Sequence, residues 1–126
     1  MSRRGDIESE IRHNCEKIDD HRSEISDLQE KAEIIKEKER RIQEEVYEPT
    51  RSYDITHGDV FRGRLEREVE EYRAEICRRT AMGLGETDQL LSDIQSIIDR
   101  IYELIEELEH RNSELEAELC SLEDDY

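Results

Sequence analysis

Four histidines and three cysteines are the side chains of this sequence best suited to metal binding or nucleophilic chemistry, and their spacing gathers none of them. His13, His21, His57 and His110 form no His-x-x-x-His pair. His21 reads as a polar interruption of a helical stripe rather than as a ligand. Cys15, Cys77 and Cys120 are odd in number, far apart and without Cys-x-x-Cys spacing, so they provide neither a disulfide framework nor a zinc signature. They read as small helix residues made in a reducing compartment. The glycines of "GLGETD" (83–88) lack the lysine and the strand context of a phosphate-cradling loop. Carboxylates occur everywhere, which makes a solvated acidic face the default for each of them. Tyr102 and Glu106 lie one helical turn apart and read, on residue types alone, as a boundary tyrosine beside a solvated glutamate. No set of residues here is arranged for general acid–base work. The expectation is a protein that is not an enzyme and holds neither cofactor nor metal.

Composition narrows the class further. The 126 residues are 44% charged and 33% apolar, with one Phe and no Trp, too few large side chains for a thick globular core. One Pro and five Gly leave room for long uninterrupted helices. A formal net charge of −17 disfavours binding to nucleic-acid backbones and to anionic lipid. Partners are expected to be basic or to bind through apolar contact. No run of 18 apolar residues is present to span a membrane. "DIESEIRHN" stands where a secretory signal would need an apolar stretch, so export, if it occurs, is expected to bypass the classical route.

The elements come from periodicity. Stepping alternately by four and three from Ile7 lands on Ile11, Asn14, Ile18, His21, Ile25, Leu28, Ala32, Ile35, Glu39, Ile42 and Val46. This is an a/d heptad stripe, which predicts a helix over 4–47 seeking a partner helix. Pro49 is expected to end it, and "EPTRSYDITHG" (48–58) reads as the loop. Asp59 is placed to cap a second helical segment over 59–122. Its stripe runs Phe61, Leu65, Val69, Tyr72 and Ile76, weakens over 82–87, and resumes as Thr87, Leu91, Ile94, Ile98, Ile101, Ile105, Leu108, Asn112, Leu115, Leu119 and Leu122. Gly83 and Gly85 either kink one long helix or turn the chain into a third; the unbroken stripe through Ile76, Thr80, Leu84 and Thr87 favours the kink. The expected fold is all-α: one elongated antiparallel helical hairpin, or coiled coil, in a single domain.

Turning the chain at 48–58 sets Val46 near Phe61 and Ile7 near residue 100. On that register everything beyond overhangs. Ile101, Ile105, Leu108, Asn112, Leu115, Leu119 and Leu122 then form an exposed seam available to a partner, with Asn112 as the polar residue that fixes register or oligomeric state.

Phe61-Arg62-Gly63, an aromatic-x-Gly element between two long helical segments, resembles the central turn of the Trp-x-Gly superfamily of type VII secretion systems, with Phe where that family prefers Trp. The wider resemblance is to the small helical proteins encoded beside LXG toxins. It runs from the first helix through "YEPTRSYDITHGDVFRGRLEREVEEY" (47–72) to the heptads of 91–122. The resemblance implies a non-catalytic partner that binds the helical N-terminal domain of an LXG-type toxin, in some cases with a second small helical partner. Such a partner is made in the cytoplasm and helps deliver the toxin to the secretion channel. It implies that Phe61 plugs the hairpin apex, while Gly63 allows close approach of the first helix. It also implies that Tyr102 and Glu106 correspond to a Tyr-x-x-x-Asp/Glu secretion element. Two other readings stand beside it: a self-associating structural coiled coil, such as a homodimer, and an acidic mimic of nucleic acid.

Overall fold

The computed structural model describes residues 2–53 and 63–124. They form α1 (Arg3–Ile42), a π-helical turn (Gln43–Tyr47), α2 (Glu48–Ser52) and α3 (Arg64–Asp124), with no strand among the described residues. The fold is all-α, a hairpin of two long helical arms packed against each other. α3 is unbroken through Gly83 and Gly85. Of the two readings of the weak zone, the continuous helix holds, and within it Thr87 donates its hydroxyl to the Gly83 carbonyl at 2.9 Å. The hairpin divides into two compact units, one of Met1–Glu30 with Ile94–Tyr126 and one of Lys31–Asp93.

The first unit contains every buried side chain among the described residues: Ile7, Asn14, Ile18 and Ile25 from α1, and Ile98, Ile101, Ile105, Asn112 and Leu115 from α3. These are stripe positions, so heptad periodicity has become burial. Ile18, Ile25, Ile98, Ile101 and Ile105 make one cluster, flanked by Leu28, Ile94 and Leu108. Each such side chain contributes about 1.5–3 kcal/mol on leaving water. Asn14 Nδ2 donates to Asn112 Oδ1 at 2.9 Å inside this interface. A buried amide without a partner costs about 1–3 kcal/mol, so the two interruptions of the stripes must meet, and their meeting sets the register. Ion pairs flank the seam on both sides: Arg3–Glu118, Arg4–Glu123, Glu10–Arg111 and Arg22–Glu109.

That register corrects the expected overhang. Asn14 faces Asn112, and Arg3 bonds Glu118 through two nitrogens at 2.7 and 2.9 Å. The seam from Ile101 to Leu122 therefore has an intramolecular partner. Counting outward from a loop at 48–58 misplaced the match. The turn does not dictate which residues face each other; the pairing of polar interruptions and of flanking charges does.

The second unit has the same two helices but no buried residue among those described. The cause is legible in its stripe positions. Ala32, Glu39, Thr80 and Thr87 are small or polar where the first unit has Ile and Leu, and each is only half-buried. Helix formation also runs past the expected stop. Pro49 lacks an N–H and would clash with the carbonyl four residues back in a regular α-helix. The π-helical turn immediately before it shifts the bonding by one residue: the Glu48 N–H reaches Gln43 O, and Gln43 Nε2 donates to Glu48 Oε1 at 2.8 Å. Pro49 then falls in the first turn of α2, where a missing N–H costs nothing. The helical arm thus extends to Ser52 rather than ending at 47.

Candidate interaction surface

Large apolar side chains left in solvent concentrate in the second unit. Among the described residues, Ile34, Ile42, Val46, Tyr53, Leu65, Tyr72, Ile76, Met82 and Leu90 are exposed there, against Ile97 and Tyr102 in the first unit. Several belong to the stripe itself. Ile42 and Val46 are 43% and 42% exposed, while Ile7 and Leu115 at the other end of the stripes are at 0%.

One part of this surface is concave. Pro49, Thr50 and Tyr53 at the end of the first helical arm and Val69, Tyr72 and Ile76 on α3 line a groove of about 380 Å³. Val69, Tyr72 and Ile76 recur at helical spacing, which puts them on one side of α3. Arg73 fixes the two walls together. Its guanidinium donates to the carbonyls of Arg51 at 3.1 Å and Thr50 at 3.4 Å. Those are carbonyls of the last turn of α2, which lack helical partners and carry the negative end of its dipole. Arg73 also pairs with Glu70, whose carboxyl is held below the ordinary carboxylate range by that hydrogen bond. With this cation committed on both sides, the groove offers a visitor mainly apolar surface. Tyr72 at its edge is 73% exposed.

Charge divides unevenly between the units. The first carries 20 of the 36 acidic residues and only 7 of the 19 Lys and Arg, and the second the remainder of each. The unit with the exposed apolar side chains is therefore the one nearer to charge balance.

The residues singled out from sequence are distributed as follows. Ile101, Ile105, Asn112 and Leu115 are buried in the first unit, and Leu108, Leu119 and Leu122 are half-buried. Tyr102 and Glu106 are both exposed on α3, one turn apart. Phe61 lies outside the described residues, as do Asp59 and His57. Gly63 has φ of +66°, and its carbonyl accepts from the Arg67 N–H at 3.2 Å as α3 begins. A Cβ there would meet nothing within 4 Å. Its glycine is explained by the left-handed backbone rather than by close approach of the first helix. Among the described residues, no group of three His, Cys, Asp or Glu side chains is placed to hold a metal ion. No described helix is long and apolar enough to cross a membrane.

Sequence reasoning missed the groove because it read Val69, Tyr72 and Ile76 as seam residues awaiting the first helix. The signal was available: small and polar residues at Ala32, Glu39, Thr80 and Thr87 mark a stretch where two stripes cannot bury each other. The comparisons with known proteins return nothing: no family model, curated protein or solved structure matches this chain.

Proposed function

We propose that this hairpin is a non-enzymatic partner protein that binds a helical domain of another protein through its second unit. We infer further that the bound domain is the helical N-terminal region of an LXG-type toxin, which the hairpin helps deliver to a type VII secretion system. The finer identification rests on the resemblance around Phe61-Arg62-Gly63. The binding role rests on one observation, the concentration of exposed large apolar side chains in the second unit. Association buries such side chains and gains about 25 cal/mol per Å² of apolar area, less the cost of ordering both partners. On this reading the chain is made in the cytoplasm and meets its toxin there. The first unit, sealed by its own buried seam, acts as the rigid stem, and Tyr102 with Glu106 on its outer surface is the candidate secretion element.

The test is a pull-down of an LXG-toxin N-terminal domain from the same genome by the purified hairpin. Tyr72→Asp with Ile76→Asp should abolish capture while leaving the circular dichroism spectrum unchanged, because both positions are exposed. Undiminished capture by that variant would remove the second unit from the reading. Sedimentation of the chain alone separates the self-association alternative: a dimer dissolved by the same substitutions would assign this surface to a second copy instead.

A further inference from the structure

In the second unit the apolar stripe and the packed face of each helix part company by one residue. Stepping back from Ile98 by four and three leads through Leu91 and Leu84 to Thr80, Cys77, Arg73 and Glu70, all half-buried. The apolar residues of that stretch, Leu65, Val69, Tyr72 and Ile76, each stand one position earlier than this series. Leu65, Tyr72 and Ile76 are exposed. The first arm shows the same offset: Ile42 and Val46 are exposed, while Gln43 and Tyr47 next to them are half-buried. One residue is about 100° of rotation around a helix. Because the arms run antiparallel, stepping back one residue on each turns both stripes to the same side of the pair. The groove shows that convergence, since Pro49 and Tyr53 of the first arm line it together with Val69, Tyr72 and Ile76 of α3.

We propose that these two stripes are the walls of a docking site for one basic amphipathic helix of another chain, which lies along the groove as a third helix. The four-three-four spacing of Leu65, Val69, Tyr72 and Ile76 is the pattern that receives a helix, knob into hole, rather than a loop or a sheet edge. The α3 wall alone runs about 17 Å, room for about three turns of the visitor. Charge selects among helices. Acids at the rim have cations on their own wall: Arg41–Glu45 on the first arm, Arg64–Glu68 and Arg79–Glu75 on α3. What remains is the excess of the whole chain, a formal charge of −17. It repels a second copy of the same chain and draws in a helix flanked by Lys or Arg. Arg73 holds the walls at their spacing through the Thr50 and Arg51 carbonyls, so the groove exists before the helix arrives. The site rests on the reading of the second unit as the binding unit; it requires no toxin.

Synthetic peptides of about four heptads serve as probes of the full chain, read by fluorescence anisotropy and sedimentation. One carries Leu at the stripe positions and Lys beside them, and a second has the same composition scrambled. The ordered peptide should bind one to one and about tenfold tighter than the scrambled one, and a version with Glu in place of Lys about tenfold more weakly. Val46→Asp with Tyr53→Asp on one wall, and Tyr72→Asp with Ile76→Asp on the other, should each weaken binding about tenfold at an unchanged circular dichroism spectrum. Ala74→Asp, exposed on the far side of α3 from Tyr72 and Ile76, should leave it within about twofold. A photo-crosslinker at the central stripe position of the ordered peptide should label 42–53 and 65–76 of the wild-type chain, a reading that needs no variant to fold. Equal binding of ordered and scrambled peptides would overturn the site, as would cross-links elsewhere or a loss on one wall alone. Equal affinity of the Glu-flanked peptide refutes the selection by charge. A wild-type dimer that binds no peptide, and that Tyr72→Asp with Ile76→Asp disperses, gives the groove to a second copy instead. Toxin capture without peptide binding keeps the partner role and refutes the helix groove; peptide binding without toxin capture does the reverse.

Discussion

At the scale of single residues, the same amino-acid type carries opposite weight in the two units. Leu115 and Leu65 both occupy stripe positions of α3, yet Leu115 is fully buried and Leu65 is 49% exposed. Leu115→Ala removes packed atoms from a seam that cannot fully collapse, and is expected to cost about 2–5 kcal/mol. Leu65→Ala is expected to stay within about 0.5 kcal/mol. Urea unfolding followed by circular dichroism measures both. The comparison bears directly on register. Were the end of α3 an overhang, Leu115→Ala would leave folding untouched, and a null result there would restore the overhanging seam. Asn112 shows the same dependence on its partner. Its type alone announced a register-fixing residue; only the bond to Asn14 says which register is fixed.

At the scale of elements, the heptad stripe of α1 was legible in its first half, where sequence period and burial coincide. Ile7, Ile18 and Ile25 are buried where the stripe placed them. Helix ends were less legible. Pro49 reads as a stop when the helix before it is assumed to be α throughout, and the π-helical turn at Gln43–Tyr47 removes that assumption without any sequence signature strong enough to announce it. The interaction surface was legible only in part: exposed apolar residues were expected, but at the wrong end of the hairpin, since register is a property of two helices and not of either stripe. The glycines of α3 carry the element-scale prediction. Gly83 and Gly85 sit inside an unbroken α-helix, and a Cβ at either would meet nothing within 4 Å. Replacing Gly by Ala at such positions removes backbone freedom from the unfolded chain without strain. Each substitution is expected to stabilise by about 0.5–1 kcal/mol, and the pair to raise the thermal midpoint. A lowered midpoint would mean that α3 bends at 83–85 in solution and uses its glycines to do so.

At the scale of the whole molecule, electrostatics works in two opposed directions, and pH separates them. With a formal charge of −17, acids outnumber cations, and the mutual repulsion of the excess opposes the compact state at neutral pH. Raising the salt to about 1 M shortens the screening length to about 3 Å and is expected to raise the thermal midpoint. Acid acts first in the same direction. As pH falls from 7 toward the isoelectric point of about 4.6, protons begin to neutralise the unpaired carboxylates, and Glu39, its carboxyl held above the ordinary value by Asp88, takes its proton ahead of the ordinary ones. Below that point the sign reverses. Arg78 and Arg79 hold the Glu75 carboxyl down at about 2, and Arg40, Arg73 and Arg3 lower Glu37, Glu70 and Glu118. A lowered folded-state value contributes stability above the ordinary carboxyl value that is lost as pH falls through the folded one. The thermal midpoint is therefore expected to pass through a maximum near the isoelectric point and to decline toward about pH 2. These ion pairs lie in solvent, where each is worth little, so the acid limb should be the shallower of the two. Melting curves across that range decide the matter. A midpoint that falls steadily from pH 7 would show that the arginine pairs outweigh the repulsion of a chain with nearly twice as many acids as bases.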